Sequence, residues 1–278
     1  MTPRHALLTA WDWEPSVVIG CAVLLTLYFG LVRPRQGSKA GLFVTGVAVL
    51  LIALVSPIDV LSDEYLFSVH MVQHLLLILI VIPLLIWAMP REFVEHGLAR
   101  TSFGTIEEVL SKPALAWSVG ALTLAIWHVP LLYDLALTHE WLHIFQHLAF
   151  LVTAAIFWWP VLNPVCELRL TIGPAILYLF LASLFNSILG IAITFAPLGT
   201  YSAYLHPRDQ LGILSLIRDQ WRISPLGDQQ LGGLLMWVPA GLIYFIFIVG
   251  AIVKWQSEPG HNPLGDPSES ISRDSNVR

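Results

Sequence analysis

Histidines inside or next to apolar segments are the residues of this sequence best suited to chemistry. Six of the ten histidines fall there: His70, His74, His128, His139, His143 and His147. Residues four apart share one face of an α-helix, so HMVQH and HEWLHIFQH each present their imidazoles in one direction. Because imidazole is a common ligand of copper, zinc and haem iron, the pattern predicts a metal or haem site.

Two methionines and one aspartate accompany these histidines. Met71 is adjacent to His70, and Met236 lies in GGLLMWVP. Thioether and imidazole together suit Cu(I), although methionine also fills apolar cores. Asp228, in SPLGDQQLGG, is predicted to cap the amino end of the last helix, with contact to a ligating histidine as the alternative. The acidic sequence SPIDVLSDEY is interpreted as a solvated connection, with attraction of a cation by its carboxylates as the alternative.

The elements that carry these residues are predicted to span a membrane. The chain is 56% hydrophobic and 12% charged, whereas soluble domains carry about 25% charged residues. A spanning helix needs about 20 mainly apolar residues. Seven stretches qualify or nearly do: residues 16–32, 41–57, 66–89, 114–132, 140–162, 172–196 and 230–254. The sequence therefore predicts an all-α, polytopic integral membrane helix bundle with about seven transmembrane helices.

Lysine and arginine counts in the connections predict the orientation of the bundle. Segments on one side hold ten of these residues and segments on the other hold four, and cytoplasmic connections carry the excess. The N-terminus is therefore expected outside and the C-terminus inside. In this orientation all six histidines lie in the outer half of the bundle.

Three regions follow from this topology. Residues 1–15 are predicted to form an outer interfacial segment, residues 16–255 the transmembrane domain, and residues 256–278 a disordered cytoplasmic tail. The long outer connection, residues 197–229, contains apolar residues at helical spacing. It is predicted to form a short helix on the outer membrane surface that can cover a site between the spans.

Several function classes are disfavoured by the sequence. The two cysteines do not form a CxxC motif, which disfavours a thiol-based metal chaperone. The net charge of -5 and the absence of a basic stripe disfavour nucleic-acid binding. No GxSxG, Walker, HExxH or Rossmann motif is present, so no catalytic residue is assigned.

Residues 40–254 resemble the CtaG-like family, assembly factors of caa3-type cytochrome c oxidase. The resemblance rests on four elements: HMVQH, IWHVP, HEWLHIFQH and DQQLGGLLMW. It implies a multi-pass protein of the bacterial inner membrane that helps to make active oxidase and does not itself catalyse a reaction. The expected partners are cytochrome c oxidase subunits, a periplasmic copper donor and the lipid bilayer.

Copper handling is the first hypothesis for the histidine site. The main expected ligands are His70, His74, His143 and His147, with His128 and Met236 as supplementary ligands and Asp228, His139 and Met71 in supporting positions. Transfer of copper needs labile coordination, so two or three ligands are expected rather than a closed cage of four.

Two other functions are kept as alternatives. A b-type cytochrome would clamp haem between histidines of two helices, for example His70 with His143 or His74 with His147. A proton or metal transporter would line a pathway with the same histidines. The transporter is less favoured because no ionisable residue lies in the inner half of a predicted span, so a continuous pathway would lack relay groups.

Overall fold

The protein is a bundle of apolar helices. The computed structural model describes residues 2–99, 104, 107–108 and 111–256, and all regular structure within them is helical. The principal helices are α1 (Pro3–Thr9), α2 (Pro15–Val32), α3 (Gly37–Val55), α4 (Pro57–Glu64), α5 (Phe67–Ala88), α6 (Arg91–Leu98), α7 (Pro113–Trp127), α8 (Pro130–Thr138), α9 (Glu140–Leu162), α10 (Ile172–Thr194) and α11 (Pro225–Gln256).

The predicted membrane bundle is confirmed. Within the described residues, six helices (α2, α3, α5, α9, α10 and α11) are long and apolar enough to cross a bilayer, and the bent pair α7–α8 brings the number to seven if it counts as one span. Most boundaries agree with the prediction to within about four residues. Among the unbroken spans the last helix departs most, because it begins at Pro225 rather than at residue 230.

The centre of the bundle is α5, which packs against α3, α4, α9 and α11. In its most apolar window 56% of the residues are buried, compared with 11% in α2. Because its neighbours cover it on several sides, polar side chains on α5 face protein rather than lipid. The histidines of HMVQH therefore lie in the interior of the bundle.

A widened turn interrupts α5 directly after its second histidine. Residues Leu76–Val81 form a π-helical segment, and Pro83 follows within the same helix. Proline removes one backbone donor, and π-turns accommodate such a break by shifting the hydrogen-bond pattern. The indole Nε1 of the buried Trp158 on α9 donates to the Ile78 carbonyl at 2.9 Å. One carbonyl group of this turn thus accepts a hydrogen bond from the neighbouring helix.

The predicted fourth span, residues 114–132, is wrong as a continuous helix. The helix ends at Trp127, and α8 begins at Pro130 at an angle of 73° to α7. Val129 has an extended backbone (φ -64°, ψ 122°), as expected for a residue before proline. The break places His128 at the carboxyl end of α7 instead of inside a helix.

The predicted surface helix within residues 197–229 is much shorter than expected. The connection contains a 3₁₀ turn at Ser202–Tyr204 and a π-helical turn at Leu216–Gln220. Ile213 and Ile217 are fully buried against Tyr65 and Leu66, which lie between α4 and α5. The connection therefore packs onto the end of α5 that carries the histidines.

The predicted outer segment, residues 1–15, ends where the first span begins, at Pro15. Within residues 1–15, α1 is a short helix, and Trp11 and Trp13 are exposed and stack with ring centres 5.9 Å apart. Of the tail predicted at 256–278, the described residues include only Gln256, which ends α11, and the prediction of disorder lies outside them.

The helices α10 and α11 approach each other closely at two glycines. A β-carbon on Gly233 would lie 2.8 Å from the Gly190 carbonyl oxygen and would also meet Thr194. A β-carbon on Gly190 would lie 2.9 Å from the Gly233 carbonyl oxygen. Small residues allow this backbone contact, as they do in other packed membrane helices.

We predict that Gly233→Ala destabilises the bundle by about 1–3 kcal/mol, because the added methyl group forces α10 and α11 apart. Thermal unfolding of the purified protein in detergent measures the loss. Gly250→Ala on the same helix is the matched control, since a β-carbon there meets nothing within 4 Å. Equal unfolding temperatures of the two variants would contradict the prediction.

Candidate metal centre

Five histidines from three helices meet at one end of the bundle. Along α5, the rings of His70 and His74 have centres 4.3 Å apart, and along α9 the rings of His143 and His147 have centres 4.2 Å apart. Between the two helices, His70 lies 5.4 Å from His143 and His74 lies 5.8 Å from His147. The helical spacing of four residues thus produces two facing pairs of imidazoles.

The fifth histidine, His128, joins the cluster from the break after α7. Its ring centre lies 5.6 Å from that of His74. Its Nδ1 lies 2.7 Å from the Leu124 carbonyl oxygen, so this nitrogen donates a hydrogen bond and carries the proton. The lone pair is then on Nε2, which is buried and has no partner. Such an arrangement orients an imidazole for metal ligation.

Most ring nitrogens of the cluster are buried without a hydrogen bond. Both nitrogens of His70 and His74, and Nε2 of His128, His143 and His147, lack a hydrogen-bond partner. Leaving a buried polar group unpaired costs about 1–3 kcal/mol. Because each neutral imidazole has one lone pair, the five histidines offer up to five nitrogen ligands to a bound cation. One nitrogen each from His70, His74 and His147 lie within 4.8 Å of one another.

Asp63, which was predicted to lie in a solvated connection, belongs to this centre. The carboxylate of Asp63, on α4, lies 3.2 Å from Nδ1 of His143 and 3.7 Å from Nδ1 of His70. Burial raises the pKa of Asp63, but the neighbouring imidazoles outweigh it and lower that pKa to about 2. Asp63 is therefore ionised at neutral pH. Ser-Pro at the start of SPIDVLSDEY, which begins α4, is the signal that predicts a short helix there.

The pKa of a second aspartate on α4 is displaced in the opposite direction. Asp59 lies one turn before Asp63, and burial together with the charge of Asp63 raises the pKa of Asp59 to about 8. The amide nitrogen of Gln73 donates to the Asp59 carboxylate at 2.8 Å and to the Ala53 carbonyl at 2.9 Å. This side chain joins α3, α4 and α5, and so fixes Asp63 near the histidines.

Tyrosines from the 197–229 connection close the same end of the bundle. The hydroxyl of Tyr204 donates to the Ser62 carbonyl at 2.6 Å and lies 2.9 Å from the hydroxyl of Tyr133. The hydroxyl of Tyr201 donates to the His128 carbonyl at 2.9 Å. The connection therefore covers the site through turns and tyrosine side chains rather than through the predicted surface helix.

The two methionines lie in the apolar cluster beside the histidines. Met71 and Met236 are buried with Phe67 and Tyr133, and the Tyr133 ring lies 5.1 Å from His70. Gly232 on α11 allows the side chains of Phe67 and Met71 to approach. Both methionines fill the wall of the centre, and a role as sulfur ligands stays a prediction.

The supporting position expected for His139 is wrong. Its side chain is exposed, and its Nδ1 lies 3.1 Å from the Leu135 carbonyl. Because α9 begins at Glu140, His139 has an extended backbone (φ -130°, ψ 103°). The four-residue rule holds only inside a helix, so it does not align His139 with His143.

The helix that Asp228 caps differs from the one predicted. Asp228 lies inside the first turn of α11, and its carboxylate accepts hydrogen bonds from α5. The donors are the Phe67 amide at 2.8 Å, the Ser68 amide at 3.0 Å and the Ser68 hydroxyl at 2.5 Å. Leu66, at the cap position of α5, has no side-chain oxygen to offer. Asp228 therefore holds the turn that precedes His70 from a neighbouring helix.

Comparison with known proteins agrees with this architecture. The model of the cytochrome c oxidase caa3 assembly factor family (Caa3_CtaG) matches residues 24–258. The chain belongs to this family. The match covers all five clustered histidines, Asp63 and Asp228, so the centre lies within the family's domain.

The chain is similar to curated proteins from mycobacteria. Uncharacterized protein Mb0105 of Mycobacterium bovis and uncharacterized protein MT0111 of Mycobacterium tuberculosis are each 25% identical over 90% of the chain. Uncharacterized protein ML1998 of Mycobacterium leprae is 23% identical over 89%. The chain spans about 40% of the length of these relatives. No solved structure matches.

We predict that Asp228→Ala loosens the first turn of α5, because three donors lose a buried acceptor, at a cost of about 1–3 kcal/mol. Hydrogen exchange at the Phe67 and Ser68 amides should accelerate. Asp134→Ala is the matched control, since the Asp134 carboxylate accepts an amide and a hydroxyl hydrogen bond from the exposed Ser202. Unchanged exchange in Asp228→Ala would contradict this role.

Proposed function

We propose that this protein handles copper during the assembly of caa3-type cytochrome c oxidase. In this proposal Cu(I) is a cargo that the histidine cluster binds and hands over, and no reaction is catalysed. The single observation that carries the proposal is the convergence of buried, unpartnered imidazole nitrogens from α5, α7 and α9. Membership of the family of oxidase assembly factors supports the destination of the metal.

The ligand chemistry favours Cu(I) as the cargo. His70, His74 and His147 offer three imidazole nitrogens in a buried site, and His128 lies next to His74. Three neutral ligands suit a singly charged ion, because burial costs more for a higher charge. Ligand atoms of an ion with bonds of about 2.0–2.1 Å lie about 3.5 Å apart. The three ring nitrogens lie within 4.8 Å of one another, so binding requires them to move closer together.

The location proposed for this exchange is the periplasmic side of the bacterial inner membrane. The lysine and arginine bias of the sequence supports an outer position for the histidine end of the bundle. Copper is then taken from a periplasmic donor and passed to an oxidase subunit. The packing of the imidazoles favours an ion over haem. A haem macrocycle must lie between its two histidine ligands. Here the imidazoles pack against one another and against Phe150, whose ring lies 4.5 Å from that of His74.

We predict that the double substitution His74→Ala and His147→Ala abolishes Cu(I) binding and lowers oxidase activity, while the amount of protein in the membrane stays the same. Copper analysis of the purified protein and of the oxidase measures both effects. His139→Ala is the control, since His139 is exposed and outside the cluster.

Two results would contradict the proposal. One is an oxidase with its full copper content in cells that carry the double variant. The other is a reduced α band in the visible spectrum of the purified protein that disappears in the double variant, because such a band identifies bound haem.

A further inference from the structure

The centre contains two sets of three ligands that share one residue. The outer set is Asp63, His70 and His143, and the inner set is His70, His74 and His147. In each set the three donor atoms lie within 4.8 Å of one another. His70 therefore lies within reach of two neighbouring positions for one ion.

The two sets differ in their access to solvent. In the outer set, the side chains of Asp63 and His143 are 30% and 14% exposed. All three residues of the inner set are buried, and His70 is completely so. A cation from water therefore meets the outer set before the inner one.

The two sets also differ in charge and ligand type. The outer set includes an ionised carboxylate, held by a hydrogen bond from the Ser62 hydroxyl at 2.8 Å. A negative charge at the opening of a cleft raises the local concentration of cations and their rate of association. The inner set offers imidazoles alone, which Cu(I) prefers to carboxylate oxygen. The outer set favours capture, whereas the inner set favours retention.

We propose that copper binds first to Asp63, His143 and His70, and then moves to His70, His74 and His147 by ligand exchange around His70. This inference rests on the proposed function and adds the route of the metal. During the step the bonds of the ion to Asp63 and His143 break, and bonds to His74 and His147 form. The ion remains Cu(I), so no electron is transferred, and no proton moves because the same nitrogen of His70 ligates in both positions.

Shared use of His70 limits the centre to one ion at a time. A neutral imidazole has one lone pair, so it ligates through one nitrogen unless it loses its N–H proton. The two positions are therefore alternatives, and one copper per chain is expected. Two coppers per chain would require a bridging imidazolate.

The loading kinetics of the purified, full-length protein in detergent test this route. The probe is Cu(I) delivered anaerobically from a coloured Cu(I) chelator. We expect Asp63→Asn to lower the rate of Cu(I) loading about tenfold, because the electrostatic attraction between the carboxylate and the cation is lost. The affinity for Cu(I) should fall by a smaller factor. Asp63→Glu restores the charge and should load faster than Asp63→Asn. His74→Ala should instead lower the affinity strongly, because it removes an inner ligand.

Glu64→Gln is the matched control for the loss of one negative charge. Glu64 is adjacent to Asp63 on α4 and belongs to neither ligand set. Equal loading rates of Asp63→Asn and Glu64→Gln would overturn the proposed route. Two coppers per chain would also overturn it. So would an affinity loss in Asp63→Asn as large as that in His74→Ala, because equal losses indicate one merged site.

The failure of this route is distinguishable from failure of the proposed function. If the wild type binds no Cu(I), both ideas fail. If the wild type binds Cu(I) and His74→Ala loses it, but Asp63→Asn loads like the control, only the route fails. X-ray absorption of the loaded wild type gives an independent check, because the inner set predicts nitrogen ligands from imidazole alone.

Discussion

The central position of α5 is the constraint on which the centre depends. Because α3, α4, α9 and α11 all pack against it, its polar side chains face protein rather than lipid. His70 and His74 on one face meet the histidines of α9, and Gln73 on another face ties α5 to α3 and α4. At its amino end, Asp228 of α11 supplies the cap that its own sequence lacks. One helix thus organises the histidines and the carboxylate around them.

The two carboxyl groups of α4 differ in their electrostatic environment. Asp63 and Asp59 are one turn apart on α4, yet their pKa values are displaced in opposite directions. Burial and the charge of Asp63 raise the pKa of Asp59, whereas the neighbouring imidazoles lower the pKa of Asp63. The negative charge of the pair is therefore favoured on Asp63, beside the histidines.

Much of this architecture follows from the sequence, because its signals are local. Apolar length predicts the spans, and the four-residue spacing predicts the facing pairs His70–His74 and His143–His147. The contribution of Asp63 depends on α4 folding back over α5, and that of Asp228 depends on two helices distant in sequence. Neither tertiary contact has a local signature. The errors at residues 114–132 and at His139 arise where a helix ends, since proline and extended backbone override the apolar and periodic patterns.

The π-helical turn of α5 begins two residues after His74 and bears on the route by which a metal could leave the centre. From Leu75 onward the helix carries only apolar side chains, and Leu77, Leu79 and Val81 are buried against neighbouring helices. An ion bound at the histidines, as proposed, would meet a hydrocarbon barrier on its far side along α5, where the loss of hydration is costly. Under the proposed function the centre is closed in that direction, and a recipient would collect the metal from the face at which the ion arrives.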